Sequence, residues 1–266
     1  LLVDVTISAF TPIMIAAATG ALVSAIVLNE NILLAFREKQ TFDYHNSPFY
    51  VLMGLFTGFT AVFYARNFLR TEHAFAHLKY GPYKKALIGA CILGLMIFIF
   101  PTLFGEGYES IKTLSESDPG KILDNTLFAD FRNNQWVLLL FVGATMMMKV
   151  FASGLTIGSG GNGGNFAPSL FLGSYLGYFF SKFITLIGLS KLPITNFTMV
   201  GMAGILSGLF HAPLTAIFLI AEITGGYGLM IPLMIVSSIS FAISKRYEKY
   251  SLDVKGLAKK GHAFTS

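Results

Sequence analysis

The sequence predicts an all-α integral membrane protein whose helices are tilted and in part broken. Three observations carry this. Hydrophobic residues fill 54% of the 266 positions and charged ones only 12%, about half the charged share usual in soluble domains; mean hydropathy is +0.65. Apolar segments near the length of about 20 residues that crosses a hydrocarbon core alternate with polar stretches. Finally, a glycine-rich interruption at residues 158–176 lies between two apolar segments, where backbone without partners is tolerated only against protein or a water-filled cavity.

In chain order, residues 5–28 form a first span, with Ala16, Ala17, Ala18, Gly20 and Ala21 suited to close helix packing. Residues 29–48 are a polar loop. Residues 49–68 are a second span carrying Gly54 and Gly58 at small-xxx-small spacing, and 66–85 is basic, with Arg66, Arg70, Lys79, Lys84 and Lys85 against Glu72. Residues 86–101 are a third, short span, and 105–135 is polar and acidic. Trp136 opens the next span as an interfacial anchor, and this span holds Lys149, expected to snorkel toward the interface. After the glycine break come a helix over 166–189 and three segments, 197–210, 213–223 and 229–244, each too short to span comfortably alone. Residues 1–245 are thus a transmembrane domain and 246–266 a basic cytoplasmic tail. The excess of Lys and Arg places the 66–85 loop and the tail on the cytoplasmic side and the acidic loop outside.

The composition also excludes classes. The net charge of +5 comes from residues scattered among loops rather than sharing one face, so no nucleic-acid partner is expected. The single cysteine, Cys91, rules out an intrachain disulfide. Asp4 interrupts the first span and no basic stretch precedes it, so it is not read as a cleavable signal. The chain opens on Leu rather than Met and is expected to be a piece of a longer one.

The break itself reads GSGGNGGNFAPSLFLGSYL. Pro168 fits a first helical turn, where its missing N–H would be unpaired anyway. The amides of Gly164, Asn165 and Phe166 then lie free at a helix N-terminus, at the positive end of its dipole: an anion site made of backbone. Glycine lets the chain take the required turns and an ion approach closely. Residues 158–163 also fit G-x-G-x-x-G, but no strand precedes them and no acid follows about 20 positions on, so a dinucleotide is not expected. No acid occurs from Phe131 to Ala221, whereas a cation site would want carboxylates or carbonyls. His73 and His77 stand at i, i+4 without a third ligand, so no metal is expected, and no nucleophile–base pair suggests an enzyme.

The run GSGGNGGNFAPSLFLG resembles the G-x-F-x-P signature of the CLC family of chloride channels and H⁺/Cl⁻ exchangers, with Gly164, Phe166 and Pro168 at the signature positions. The likeness continues through Gly201–Gly204, His211–Thr215 and Glu222–Tyr227, and covers the C-terminal half of that family's membrane domain. Asn165 departs from it, being polar where the family often has an aliphatic residue. The resemblance implies one half of an inverted-repeat domain with chloride bound by Gly164, Asn165, Phe166 and the hydroxyl of Tyr227, which by its chemistry alone reads as an interfacial or core tyrosine. It implies no cofactor, protons as a coupled substrate in the exchanger case, and a homodimer in the cytoplasmic membrane of a prokaryote. The first span and residues 197–210 and 213–223 would form part of the dimer surface. The family's serine loop and gating-glutamate loop are expected before Leu1. Glu222 matches neither of the family's working glutamates and is expected to bind the amides around residues 224–226. His211 is expected to be a satisfied core or helix-end residue. Two other readings stay open: a secondary transporter for an organic anion or sodium-coupled solute, favoured by a cavity much larger than a halide, and a non-transporting scaffold, favoured by helices with no accessible path near Phe166.

Overall fold

The computed structural model describes residues 7–28, 34, 36, 40–115, 118–124 and 126–258. The described residues are helical and contain no strand. The chain runs through α1 (Ile7–Val23), α2 (Ser47–Ala76), α3 (Pro82–Ile99), α4 (Tyr108–Leu114), α5 (Gln135–Gly158), α6 (Phe166–Leu186), α7 (Ile194–Phe210), α8 (Pro213–Thr224), α9 (Met230–Tyr247) and α10 (Leu252–Ala258). Among the described residues, five helical segments are long and apolar enough to cross a membrane: Phe10–Val27, Tyr44–Ala76, Pro82–Ile99, Gln135–Gly158 and Tyr227–Lys255. The protein is a multi-pass membrane protein.

Local chemistry sets several helix starts. Proline stands in the first turn of α2, α3 and α8, where its fixed φ suits the helix and its lost N–H costs nothing. Asn134 caps α5, its side-chain oxygen accepting from the amides of Trp136 and Val137 at 3.0 and 3.4 Å. The second span is longer than hydropathy suggests: α2 carries on through Arg66 and Arg70 to Ala76, a rod of 30 residues and about 45 Å at 1.5 Å per residue. Charge marks where a helix leaves the hydrocarbon, not where it ends.

The centre of the fold is α7, in which every residue from Thr195 to Leu209 is buried. Around it pack α6, α2, α9 and α8. The helices touch through small residues, as helices in lipid do. On α9, Ser240 and Ser244 donate to the carbonyls of Gly204 and Gly208, and Ser207 of α7 donates back to Ser237, all within 2.6–2.7 Å. A side chain added at Gly54 or Gly58 would meet Ile239 or Ile243 at 2.8 Å, so that spacing marks the seam between α2 and α9.

Three expectations are corrected here. Residues 197–210 cannot belong to a dimer surface, because α7 is enclosed on all sides. The last segment is not too short to span, since 3₁₀ turn Tyr227–Leu229 leads directly into α9 and the two run unbroken to Tyr247. The basic end is not a free tail through its described part: Glu248 and Leu252 are buried, and α10 folds back onto the membrane helices. Glu248 accepts from Arg66 Nε of α2 at 2.6 Å and is also bonded by Lys255, so opposite charges fix the return. The acidic loop is likewise an ordered cap, with Ile111, Leu114 and Leu123 fully buried and Arg132 bridging Asp118 and Asp124.

Candidate functional site

The site forms where α5 stops and α6 begins. Gly161 donates back to the Thr156 carbonyl at 2.8 Å, closing α5, and Gly160 sits at φ 101°, a turn that a side chain would strain. The chain then runs without helical bonds to Asn165, the residue that precedes the first turn of α6. Among the described residues, nothing accepts from the amides of Gly164, Asn165 or Phe166. They lie at the positive end of a 21-residue helix.

These residues separate two cavities. One, of about 490 Å³, is lined by Gly164, Asn165 and Phe166, by Leu206 and Phe210 of α7, and by Ser251, Asp253 and Val254 of the returning end. The other, of about 440 Å³, is lined by Gly163, Gly164, Ala167 and Pro168 with Lys149, Ser153 and Thr156 of α5 and Glu106 of the acidic cap. Gly164 borders both.

Lys149 does not snorkel. It is 4% exposed, donates to the carbonyls of Leu103 and Gly105 at 3.0 and 2.9 Å, and lies 4.8 Å above the centre of the Phe171 ring. No carboxylate among the described residues pairs with it. It ties the cap to α5 and sets an ammonium group beside the second cavity, whose lining also includes Glu106.

Tyr227 is the clearest departure from expectation, for it does not line the cavity of Gly164, Asn165 and Phe166. Gly225, at φ 59°, ends α8 and turns the chain so that Tyr227, itself 54% exposed, starts a 3₁₀ turn. Its hydroxyl donates to the Glu222 carboxylate. Glu222 therefore serves the phenol, not the amides of residues 224–226. His211 caps α7 in the left-handed region at φ 54°, packed edge-on against Phe241, as a helix-end residue.

The element that sequence reasoning missed is the wall supplied by Ser251, Asp253 and Val254; Tyr250 directly precedes them and, like Tyr227, does not itself line the cavity. The available signal was Ser251 followed by Leu252-Asp253-Val254, a short helix start inside a stretch read as tail for its charge. Also unforeseen is the bond from the Tyr64 hydroxyl of α2 to the side-chain oxygen of Asn165, at 3.1 Å.

A bundle of membrane helices that holds unpaired amides of a broken helix between two cavities has the architecture of a membrane transport protein. The chain belongs to the voltage gated chloride channel family, whose profile it matches over residues 1–245. It is 27% identical over 236 residues to the voltage-gated ClC-type chloride channel ClcB of Salmonella typhimurium, covering 87% of this chain and 52% of that protein. It is 26% identical over 250 residues to ClcB of Escherichia coli, covering 93% and 56%. The chain thus spans about half the length of the curated relatives it matches. Its fold resembles that of a slow cyanobacterial Cl⁻/H⁺ antiporter, with a TM-score of 0.68 and 18% identity over 87% of this chain and 51% of the other. It also resembles a CLC-type fluoride/proton antiporter, with a TM-score of 0.67 and 22% identity over 92% and 55%.

Proposed function

We propose that this chain is half of the membrane domain of a chloride channel or H⁺/Cl⁻ exchanger, and that the amides of Gly164, Asn165 and Phe166 replace part of the ion's hydration shell as it passes. The observation that carries this reading is the set of unpaired amides bordering the 490 Å³ cavity, with a second cavity beyond Gly164. Cavities on both sides of the break suit an ion that is held briefly and released, since binding has to stay weak for the ion to leave. Lys149 adds positive field on one side. The relatives, chloride channels, and the structural neighbours, a Cl⁻/H⁺ and a fluoride/proton antiporter, support a halide. No covalent bond need be made or broken, and no cofactor is called for.

In this reading the anion-facing phenol is Tyr250 rather than Tyr227, because Tyr250 adjoins the segment that walls the cavity. The functional unit is a homodimer in the cytoplasmic membrane of a prokaryote. The exposed Leu214 and Phe218 of α8 and the lipid-facing side of α1 supply apolar dimer surface from this half.

The test is chloride efflux from liposomes containing the full-length protein. Efflux is expected from the unaltered protein, slowed by Tyr250→Phe and untouched by Tyr227→Phe. Absence of efflux would sink the chloride reading; loss through Tyr227→Phe alone would return the role to Tyr227.

A further inference from the structure

We propose that Asn165 is a specificity-determining residue, whose side-chain amide, held in place by Tyr64, adds N–H donors to the anion site. The inference rests on the chloride reading and concerns its selectivity. An Asn just before a helix ordinarily turns its oxygen onto the second or third amide of the first turn. Asn165 makes no such bond, and the third position here is Pro168, which has no N–H to offer. Its oxygen instead accepts from Tyr64 at 3.1 Å. Tyr64 is fully buried in α2 and stacked on Phe68 with ring centres 5.7 Å apart, so the anchor cannot follow a rotating amide.

An amide group is planar, with oxygen and nitrogen on opposite arms. Fixing the oxygen against α2 directs the NH₂ arm away from it, and Asn165 lines the cavity shared with Gly164 and Phe166. No described residue accepts from that nitrogen, although Ser251 and Asp253 border the same cavity. Of the remaining wall, Leu206, Phe210, Ala216 and Leu219 are apolar, and Thr215 brings a hydroxyl that makes no hydrogen bond to Asn165. Asn165 is partly buried, so its free N–H donors can be met by water or by a ligand in the cavity. A bound anion beside the backbone amides is such a ligand. An aliphatic residue at this position would offer its backbone N–H alone.

Neutral N–H donors reward an anion in proportion to its charge density. The side-chain amide should therefore favour chloride over a large, weakly hydrated ion such as thiocyanate. Titration calorimetry of the purified full-length protein with chloride and with thiocyanate reads this directly. Removing one donor to a charged partner corresponds to roughly a 10-fold loss of affinity. Asn165→Leu is expected to weaken chloride by about that factor while thiocyanate changes less, narrowing the preference. Tyr64→Phe, which leaves the amide present but unanchored, should produce a smaller loss in the same direction. Asn165→Asp keeps an acceptor for Tyr64 but turns an oxyanion on the site, and should abolish chloride binding. If the unaltered protein binds chloride and neither Asn165→Leu nor Tyr64→Phe shifts the chloride-to-thiocyanate ratio, Asn165 has no part in selectivity and the amide site stands without it. If the unaltered protein binds no chloride, the chloride reading fails and takes this inference with it.

Discussion

The approach of α6 to α7 gives the most direct quantitative test of how the site is held. The two helices cross at Gly173 and Gly177 on one side and Gly201 on the other. A Cβ at Gly177 would lie 2.1 Å from the Phe197 carbonyl oxygen and 2.7 Å from the Thr198 Cα. Ordinary contact begins at 3.4 Å, so the helices would have to part by roughly 3.4 − 2.1 = 1.3 Å against backbone that cannot swing aside. Overpacking of this kind costs about 3 kcal/mol, at the upper end of the usual range, because the partner is rigid. Replacing glycine within a helix returns about 1 kcal/mol of propensity. The net is a loss of about 2 kcal/mol, or roughly 4–8 °C in melting temperature for a domain of this size. The separation also moves the first turn of α6, and with it the amides of Gly164–Phe166, so chloride efflux should fall with stability. Gly177→Ala and Gly94→Ala are to be compared by thermal unfolding of the full-length protein in detergent. Gly94, on α3, has nothing within 4 Å of an added Cβ and should gain slightly or stay level. The reasoning fails if Gly177→Ala melts at or above the temperature of the unaltered protein.

Two further outcomes follow from the charges. Lys149→Glu would place a carboxylate against the carbonyls of Leu103 and Gly105, and a buried, uncompensated charge costs about 3–5 kcal/mol; loss of folded protein in size-exclusion chromatography is expected, and a normal elution profile would contradict the geometry. Glu248→Gln removes both Arg66 and Lys255 as ionic partners of the returning segment. Because Arg66 is half exposed, the stability loss should be no more than about 1 kcal/mol. Trypsin should nonetheless cut faster at Lys249 and Lys255, and an unchanged cleavage rate would mean that other contacts hold α10.

What the sequence determined by itself is what a bilayer imposes locally. Hydrocarbon demands a minimum apolar length and internal pairing of every backbone bond. The spans around α1, α2, α3 and α5 were therefore legible from hydropathy and the break before Phe166 from glycines that no uninterrupted helix would hold together, whereas α3 starts at Pro82, ahead of the apolar run, because its first turn carries Lys84 and Lys85. Tertiary structure decided matters that hydropathy treats as equal. An apolar helix reads the same whether it is enclosed or exposed, so nothing marked α7 as the enclosed centre or α3 as largely exposed. Charge misled for the same reason. Lys149 and the 246–258 segment look like residues bound for water until their partners arrive from afar: the Leu103 carbonyl 46 positions away, and Arg66 182 positions before Glu248. The placing of Tyr227 was of this kind: nothing local marks it as bound for a carboxylate, and only the turn at Gly225 gives it to Glu222.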